Sequence, residues 1–257
     1  MAWDYPSFEK SEVKGRLAGA LFAVSWAVLP GFGVIDLSVT VQPTDEFRGA
    51  VPVDAGWGLL TTVLLGGAFV WTALRPHQFA IAAVQIVTVG LALTVSAVAG
   101  SESGAFVLGA LAVSEVLVVG TLLPREHDTA FSIDVSWPLA ATAAIAAGAW
   151  FAYAADMWAA NRQDRAPEEI TMGMNHWAIQ GALGLAIVLL ASVVALWAPG
   201  RRFIGISTAA VAIYLGVSSY RFPDAAGAYG QTWSVLSVAW GVVTAILVLL
   251  PGSAVSG

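Results

Sequence analysis

The sequence predicts an all-α, polytopic integral membrane protein with eight transmembrane helices, built as two parallel four-helix repeats. Hydrophobic residues make up 58% of the chain and charged residues 11%, compared with about 45–50% and about 25% in soluble domains. The hydrophobic residues also fall into runs of about 20, the length that a helix needs to cross a bilayer. A third observation, a pair of matching polar loops in the two halves of the chain, predicts the repeat.

Charged segments separate eight hydrophobic runs, and we predict a spanning helix for each run. Only helices or closed barrels satisfy the backbone polar groups in a bilayer, and the strict alternation of barrel strands is absent. The first span contains Pro30, which is expected to bend the helix or break its last turn. The predicted spans are 15–36, 55–75, 79–100, 105–124, 134–156, 176–198, 203–220 and 232–251.

The two halves of the sequence carry the same landmarks. Asp36 and Trp57 flank one polar loop and Asp156 and Trp177 flank another, with a spacing of 21 residues in each loop and an offset of 120 between them. Four spans in each unit would point both copies in the same direction through the membrane. The predicted organisation is an interfacial segment (1–14), a first repeat (15–124), a cytoplasmic linker (125–133), a second repeat (134–251) and a tail (252–257).

The distribution of lysine and arginine predicts the orientation. Seven of the eleven basic residues, including both lysines, fall on one face of the predicted topology, and basic residues favour the cytoplasmic side. We therefore expect both termini in the cytoplasm and the two polar loops on the outer side of the cell membrane. The expected partner is the lipid bilayer, and a nucleic-acid partner is not expected.

Several kinds of chemistry are excluded or disfavoured by composition. The chain has no cysteine, which removes disulfides, thiolate nucleophiles and iron–sulfur clusters. Lys10 and Lys14 both precede the first span, which excludes a Schiff base to a buried lysine. The histidines at positions 77, 127 and 176 fall on both faces and do not form a haem ladder across the membrane. No cofactor is predicted, and no nucleophile and base stand together in the sequence, which disfavours an enzyme.

Asp36 and Asp156 each end the first predicted span of a repeat. A carboxylate at a helix C-terminus meets the unfavourable end of the helix dipole. We expect compensation by Arg48, Arg162 or Arg165 from the following loops, or by a bound cation. The alternative interpretation is that both residues are interfacial acids that face water.

Glu115 is the only charged residue placed well inside a predicted span. An acid at the centre of a spanning helix costs about 2.5–3.5 kcal/mol on insertion scales. One interpretation is a proton or cation relay, or a polar anchor in a cavity. The other is a protonated glutamate bonded to a neighbouring helix. Its counterpart in the second half, at an offset of 127, is Val242, so a symmetric role is excluded.

A weak copper motif lies in the second polar loop. Met172, Met174 and His176 occupy alternate positions, and thioethers with an imidazole suit Cu(I). The alternative is that the methionines pack at the interface while His176 helps to start the sixth span.

Tryptophans and small residues inside the spans are expected to serve packing. Trp26, Trp150 and Trp240 lie deep in their spans, where we predict core packing rather than a cavity wall. The alanine-rich run 140–149 is predicted to be a surface of close helix contact.

The leading functional hypothesis is a protein that binds or transports a small or lipid-like ligand. The ligand would enter at the repeat interface from the outer side, where Asp36, Asp54, Asp156 and His176 would form the mouth. Parallel repeats with a polar mouth are typical of transporters. The second hypothesis is an accessory or scaffold subunit that packs against a larger membrane complex, because the loops are short and the charge is low. A membrane enzyme is the least favoured of the three.

Overall fold

The computed structural model of this chain describes residues 7–29, 32–45, 47–123, 133–165 and 176–250. Within these ranges the regular structure is helical and contains no strand. Seven helical segments are long and apolar enough to cross a membrane, in agreement with the predicted helical membrane class. They are Val51–Leu74, Pro76–Gly100, Ser103–Leu122, Trp137–Arg162, His176–Leu196, Arg201–Arg221 and Gln231–Leu249.

The first hydrophobic run forms a bent pair of helices. Helix α1 (Ser7–Val28) is followed by the short helix α2 (Gly33–Val39), and the segments Ser11–Val28 and Gly33–Val39 differ in direction by 48°. The bend falls where Pro30 was expected to interrupt the span, although Pro30 itself lies outside the described residues. Counted as one broken span, this pair raises the number of crossings from seven to eight.

The second span changes its helical geometry along its length. Helix α3 (Val51–Gly58) continues as a π-helical segment, Leu59–Gly66, and then as α4 (Gly67–Leu74). The start of α2 lies directly against this junction, because a Cβ added to Gly58 would lie 2.4 Å from the carbonyl oxygen of Gly33. The irregular span Val51–Leu74 and the bent α1–α2 pair are therefore packed together.

The remaining helices are regular. A short 3₁₀ turn, Pro76–Gln78, leads into α5 (Phe79–Gly100), and the chain continues through α6 (Ser103–Leu122), α7 (Trp137–Arg162), α8 (His176–Leu196), α9 (Arg201–Arg221) and α10 (Gln231–Leu249). Consecutive helices pack as pairs, α5 with α6, α7 with α8, and α9 with α10. The two halves of the chain meet where α8 packs against α3 and α5, and where α9 packs against α3 and the π-helical segment.

Helix α8 forms the centre of the bundle, whereas α7 and α10 lie at its edge. In α8, 72% of the most apolar window is buried, compared with 22% in α7 and 28% in α10. Small residues allow the close contacts of α8, because a Cβ on Gly181 would lie 2.3 Å from the Trp158 indole nitrogen. The outward side of α7 carries apolar residues such as Ile145, 79% exposed, which suits a lipid-facing surface.

Two predicted span ends differ from the structure. The span predicted to end at Asp156 continues to Arg162, because Met157, Trp158 and Ala160 are apolar and buried. Asp36 lies in the first turn of α2 and not at the end of a helix, because the break in the first span starts a new helix just before it. The expected conflict between these carboxylates and a helix C-terminus is therefore wrong.

Candidate functional site

The bundle has an acidic end, which we define as the end where α3 and α8 begin and where α7 and α9 finish. Asp36 on α2 and Asp54 on α3 approach each other here, and their carboxylates interact electrostatically. Asp54 is only 4% exposed. In each residue the Oδ2 atom is shielded from solvent and accepts no hydrogen bond. We call these two residues the acidic pair.

The arginines expected to compensate the acids are used in different ways. Arg165 donates to Asp156 Oδ1 at 2.9 Å, and both side chains are largely exposed. Arg48 instead forms a loose pair with Asp45 at 3.8 Å, and Arg162 donates to a backbone carbonyl oxygen. Of the expected ion pairs, the structure therefore contains the one between Arg165 and Asp156. Arg48, Arg162 and Arg165 form no ion pair with the acidic pair.

His176 is buried and not open to solvent. It is 3% exposed, and its ring centroid lies 4.6 Å from that of Trp57 on α3. The contact joins the start of α8 to the first half of the chain. Met172 and Met174 of the copper hypothesis lie outside the described residues. Within the described ranges, no three side chains of the usual metal-ligating types come together.

A buried amide connects the halves close to the acidic pair. Gln180 on α8 donates through Nε2 to the hydroxyl of Tyr153 and to the carbonyl oxygen of Pro52 at 3.2 Å. Tyr153 in turn donates to the carbonyl oxygen of Gly227 at 2.9 Å. A Cβ added to Gly56 would lie 1.5 Å from Gln180 Oε1. The amide can therefore occupy this position only because residue 56 is a glycine.

Glu115 lies away from the acidic end, in the second half of α6. Its carboxylate accepts a hydrogen bond from the indole N–H of Trp26 on α1. Glu115 is 7% exposed and Trp26 is 1% exposed. This geometry matches the interpretation of an acid bonded to a neighbouring helix, and Glu115 is not brought together with Asp36, Asp54 or His176.

A groove of about 530 Å³ runs between α7 and α10, and Tyr229 of the loop before α10 also lines it. We call it the α7–α10 groove. Its aromatic wall consists of Trp150, Tyr153, Tyr229, Trp233 and Trp240. The ring of Trp150 meets those of Trp240 and Tyr229 edge to face, with centroid distances of 6.3 and 6.0 Å. These contacts hold the rings in fixed positions along the wall.

The groove is polar at one end and apolar along the rest of its length. Asp156, Tyr153 and Tyr229 line it near the acidic end. Burial raises the pKa of Tyr229 to about 12, so its hydroxyl is uncharged at neutral pH. Farther along, Thr142 and Ser237 already donate to backbone carbonyl oxygens at 2.9 and 2.7 Å. That part of the wall therefore offers no free donor and is suited to an apolar chain.

The sequence does not predict this groove. Trp150 belongs to the buried core, as predicted, and Trp240 packs against that core, but both rings also line the groove. The alanine-rich run of α7 was predicted to be a close-packing surface, yet Ala146, Ala149 and Ala152 leave open space next to α10. The available signal was the combination of small residues on α7 with three aromatic residues shortly before and within α10.

Comparison of the chain with protein-family models, with curated proteins and with solved structures finds no match in any of the three.

Proposed function

We propose that this protein is a membrane-embedded binding or transport protein for a single-chain, lipid-like molecule that occupies the α7–α10 groove. The observation that carries this proposal is the groove itself, which is apolar along the helices and polar at one end. Its volume of about 530 Å³ lies within the range of about 300–1,000 Å³ typical of small-molecule sites.

The chemistry of the wall favours a particular kind of ligand. An aliphatic chain would pack against the rings of Trp150 and Trp240 and against Ala146 and Val243. At the polar end Asp156 lines the groove and pairs with Arg165, whereas the Tyr153 hydroxyl already donates to the Gly227 carbonyl oxygen and the Tyr229 hydroxyl is shielded from solvent. Because the Asp156–Arg165 pair carries both signs of charge, it favours an uncharged or zwitterionic head group over an anion.

The proposal includes a finer architecture of eight spans in two parallel repeats. The pattern of helix packing supports it. Within each half the first span packs on the second and the fourth, and the third packs on the fourth. Between halves, α3 packs against α9 just as α8 packs against α5. With α1 and α2 counted as one broken span, both termini lie on the same side, and the acidic end is the outer side of the cell membrane.

The accessory-subunit hypothesis makes use of the same surface. Exposed apolar residues on α7 and α10, such as Ile145 and Leu236, would then be covered by a helix of another membrane protein. The two hypotheses can be distinguished by purification. A partner helix would be removed when the chain is separated from its complex, whereas a bound lipid would stay with the isolated chain.

The experiment uses the purified chain in nanodiscs with a lysophosphatidylcholine that carries a diazirine on its acyl chain. Ala146→Trp fills the groove, and Ala144→Trp is the matched control, because Ala144 is exposed on the same helix and does not line the groove. We expect covalent labelling of α7 and α10 in the parent chain and in A144W, and its loss in A146W.

Equal labelling of all three proteins would contradict a specific site in the groove. Co-purification of a membrane polypeptide whose crosslinks map to α7 and α10, with no labelling of the isolated chain, would favour the accessory role. An anionic lysolipid used as competitor should displace the probe less effectively than the zwitterionic one.

A further inference from the structure

The α7–α10 groove covers only part of the length of α7. Its lining residues on this helix run from Thr142 to Asp156, a distance of about 21 Å at the helical rise of about 1.5 Å per residue. The uncharged stretch 137–155 is about 28 Å long, close to the thickness of about 30 Å of the hydrocarbon layer. Asp156 therefore marks one boundary of that layer, and the groove stops about 8 Å short of the other boundary.

Helix α10 gives the same limit. Its lining residues run from Trp233, near the start of the helix, to Val243, which is about 15 Å at the same rise. That distance is about half of the hydrocarbon thickness, although the helix itself continues to Leu249. Both helices thus place the groove in the part of the membrane next to the acidic end.

Near its inner end the groove is bounded by packed side chains. Trp240 donates its indole N–H to the Thr142 carbonyl oxygen at 2.9 Å, which joins α10 to α7. Leu139, one turn before Thr142 on α7, is 2% exposed, and Val248 near the end of α10 is equally buried. Both belong to the hydrophobic core. The groove therefore ends inside the membrane and does not connect the two interfaces.

Along its side the groove faces lipid. Ile145 of α7 is 79% exposed, and Trp233 and Leu236 of α10 are 55% and 50% exposed. All three line the groove. Apolar side chains exposed at the edge of a membrane bundle contact acyl chains, which are as apolar as leucine. A chain from the bilayer can therefore enter between α7 and α10 without crossing the interior of the bundle.

We infer that the groove takes its ligand from one leaflet only, the leaflet at the acidic end. The ligand is a single-chain zwitterionic lipid of that leaflet, with its head group beside Asp156 and its chain directed toward Trp240. A lipid of the opposite leaflet has its head group at the other boundary, beyond Leu139, which the groove does not reach. This inference rests on the proposed function and adds the source of the ligand.

The test uses liposomes in which the chain is inserted in both orientations. Asp224, an exposed residue of the loop before α10, is replaced by cysteine in the otherwise cysteine-free chain. An impermeant biotin maleimide then marks the chains whose acidic end faces outward, and streptavidin separates them from the others. In one arm the diazirine lysophosphatidylcholine is added to finished liposomes, so that it enters the outer leaflet. In the other arm it is mixed in before reconstitution and occupies both leaflets.

With the probe in the outer leaflet, we expect adducts on α7 and α10 in the biotinylated chains and none in the others. With the probe in both leaflets, chains of both orientations should be labelled. Ala146→Trp in the same cysteine variant is the control and should lose the adduct in both arms. Albumin, which extracts lysolipid from the outer leaflet, is added to a parallel sample before illumination and verifies that the probe has not crossed.

The two arms separate this inference from the proposed function. Equal labelling of both orientations by the probe in the outer leaflet would overturn the restriction to one leaflet and leave the groove as a lipid site. Labelling of the non-biotinylated chains alone would also overturn it. An absence of adducts on α7 and α10 when the probe occupies both leaflets would overturn the proposed function itself.

Discussion

The side-chain amide of Gln180 on α8 donates to the hydroxyl of Tyr153 on α7 while its own oxygen lies against the backbone of Gly56. This contact gives the first prediction. Gly56→Ala forces the amide away, because the added Cβ would lie 1.5 Å from Oε1. The loss of buried hydrogen bonds should reduce the free energy of unfolding by about 1–3 kcal/mol, seen as a lower melting temperature in detergent.

Gly148→Ala on α7 is the matched control for that change. Nothing lies within 4 Å of a Cβ at Gly148, and alanine is favoured over glycine in a helix by about 0.5–1 kcal/mol. An unchanged or raised melting temperature is expected. If Gly56→Ala behaved like the control, the amide would not be held as described.

The second prediction concerns the acidic pair. Asp54→Asn replaces the buried member of two neighbouring carboxyl groups, neither of which has a hydrogen bond to its Oδ2 atom. Relief of this burial should raise the stability by on the order of 1 kcal/mol or more. The melting temperature of D54N is compared with that of Asp224→Asn, an exposed acid that should have no effect. A marked fall in the melting temperature of D54N would mean that Asp54 binds a stabilising cation. Replacement of choline by Na⁺ or K⁺ would then raise the melting temperature of the parent protein but not that of D54N.

The third prediction separates ligand binding from stability. Asp156 is largely exposed and pairs with Arg165, and exposed pairs contribute about 0–1 kcal/mol. Asp156→Asn should therefore leave the melting temperature almost unchanged while it weakens the preference of the groove for a zwitterionic head group. The measurement is competition between zwitterionic and anionic lysolipids for the photolabel. An unchanged preference would remove Asp156 from the polar end of the site.

The fourth prediction addresses topology, and the cysteine-free chain permits single-cysteine labelling without background. Cysteine at position 45 or 224 should react with an impermeant maleimide from outside the cell. Cysteine at position 14 or 202 should react only after permeabilisation. Eight spans require that positions 14 and 202 are labelled from the same side of the membrane. An odd number of crossings between them would place the two positions on opposite sides.

Much of the fold could be predicted from the sequence because a spanning helix is defined by average hydropathy over many residues. That average is insensitive to which residue faces which way, so the seven candidate spans could be predicted from hydropathy and the bend near Pro30 from the position of the proline. The salt bridge between Asp156 and Arg165 also belonged to the compensation that we expected. The exact helix ends did not emerge, since Met157 and Trp158 extend α7 for reasons of packing.

The groove could not be predicted, for a physical reason. In a bilayer a residue that faces lipid and one that faces another helix are equally apolar, because lipid tails are as apolar as leucine side chains. Trp26 and Trp150 are therefore alike in sequence, although Trp26 is enclosed next to Glu115 and Trp150 lines an open groove. The burial of His176 against Trp57 likewise depends on a contact between halves that no local pattern encodes.

The central position of α8 bears on how the protein is made. Because α8 is enclosed by α3 and α5 from the first half as well as by α7, the earlier helices enter the membrane before the element that completes their packing has been synthesised. During that interval the faces of α3 and α5 that pack against α8 in the complete protein are in contact with lipid. Newly made first halves that wait too long for α8 are the species in which misassembly would begin.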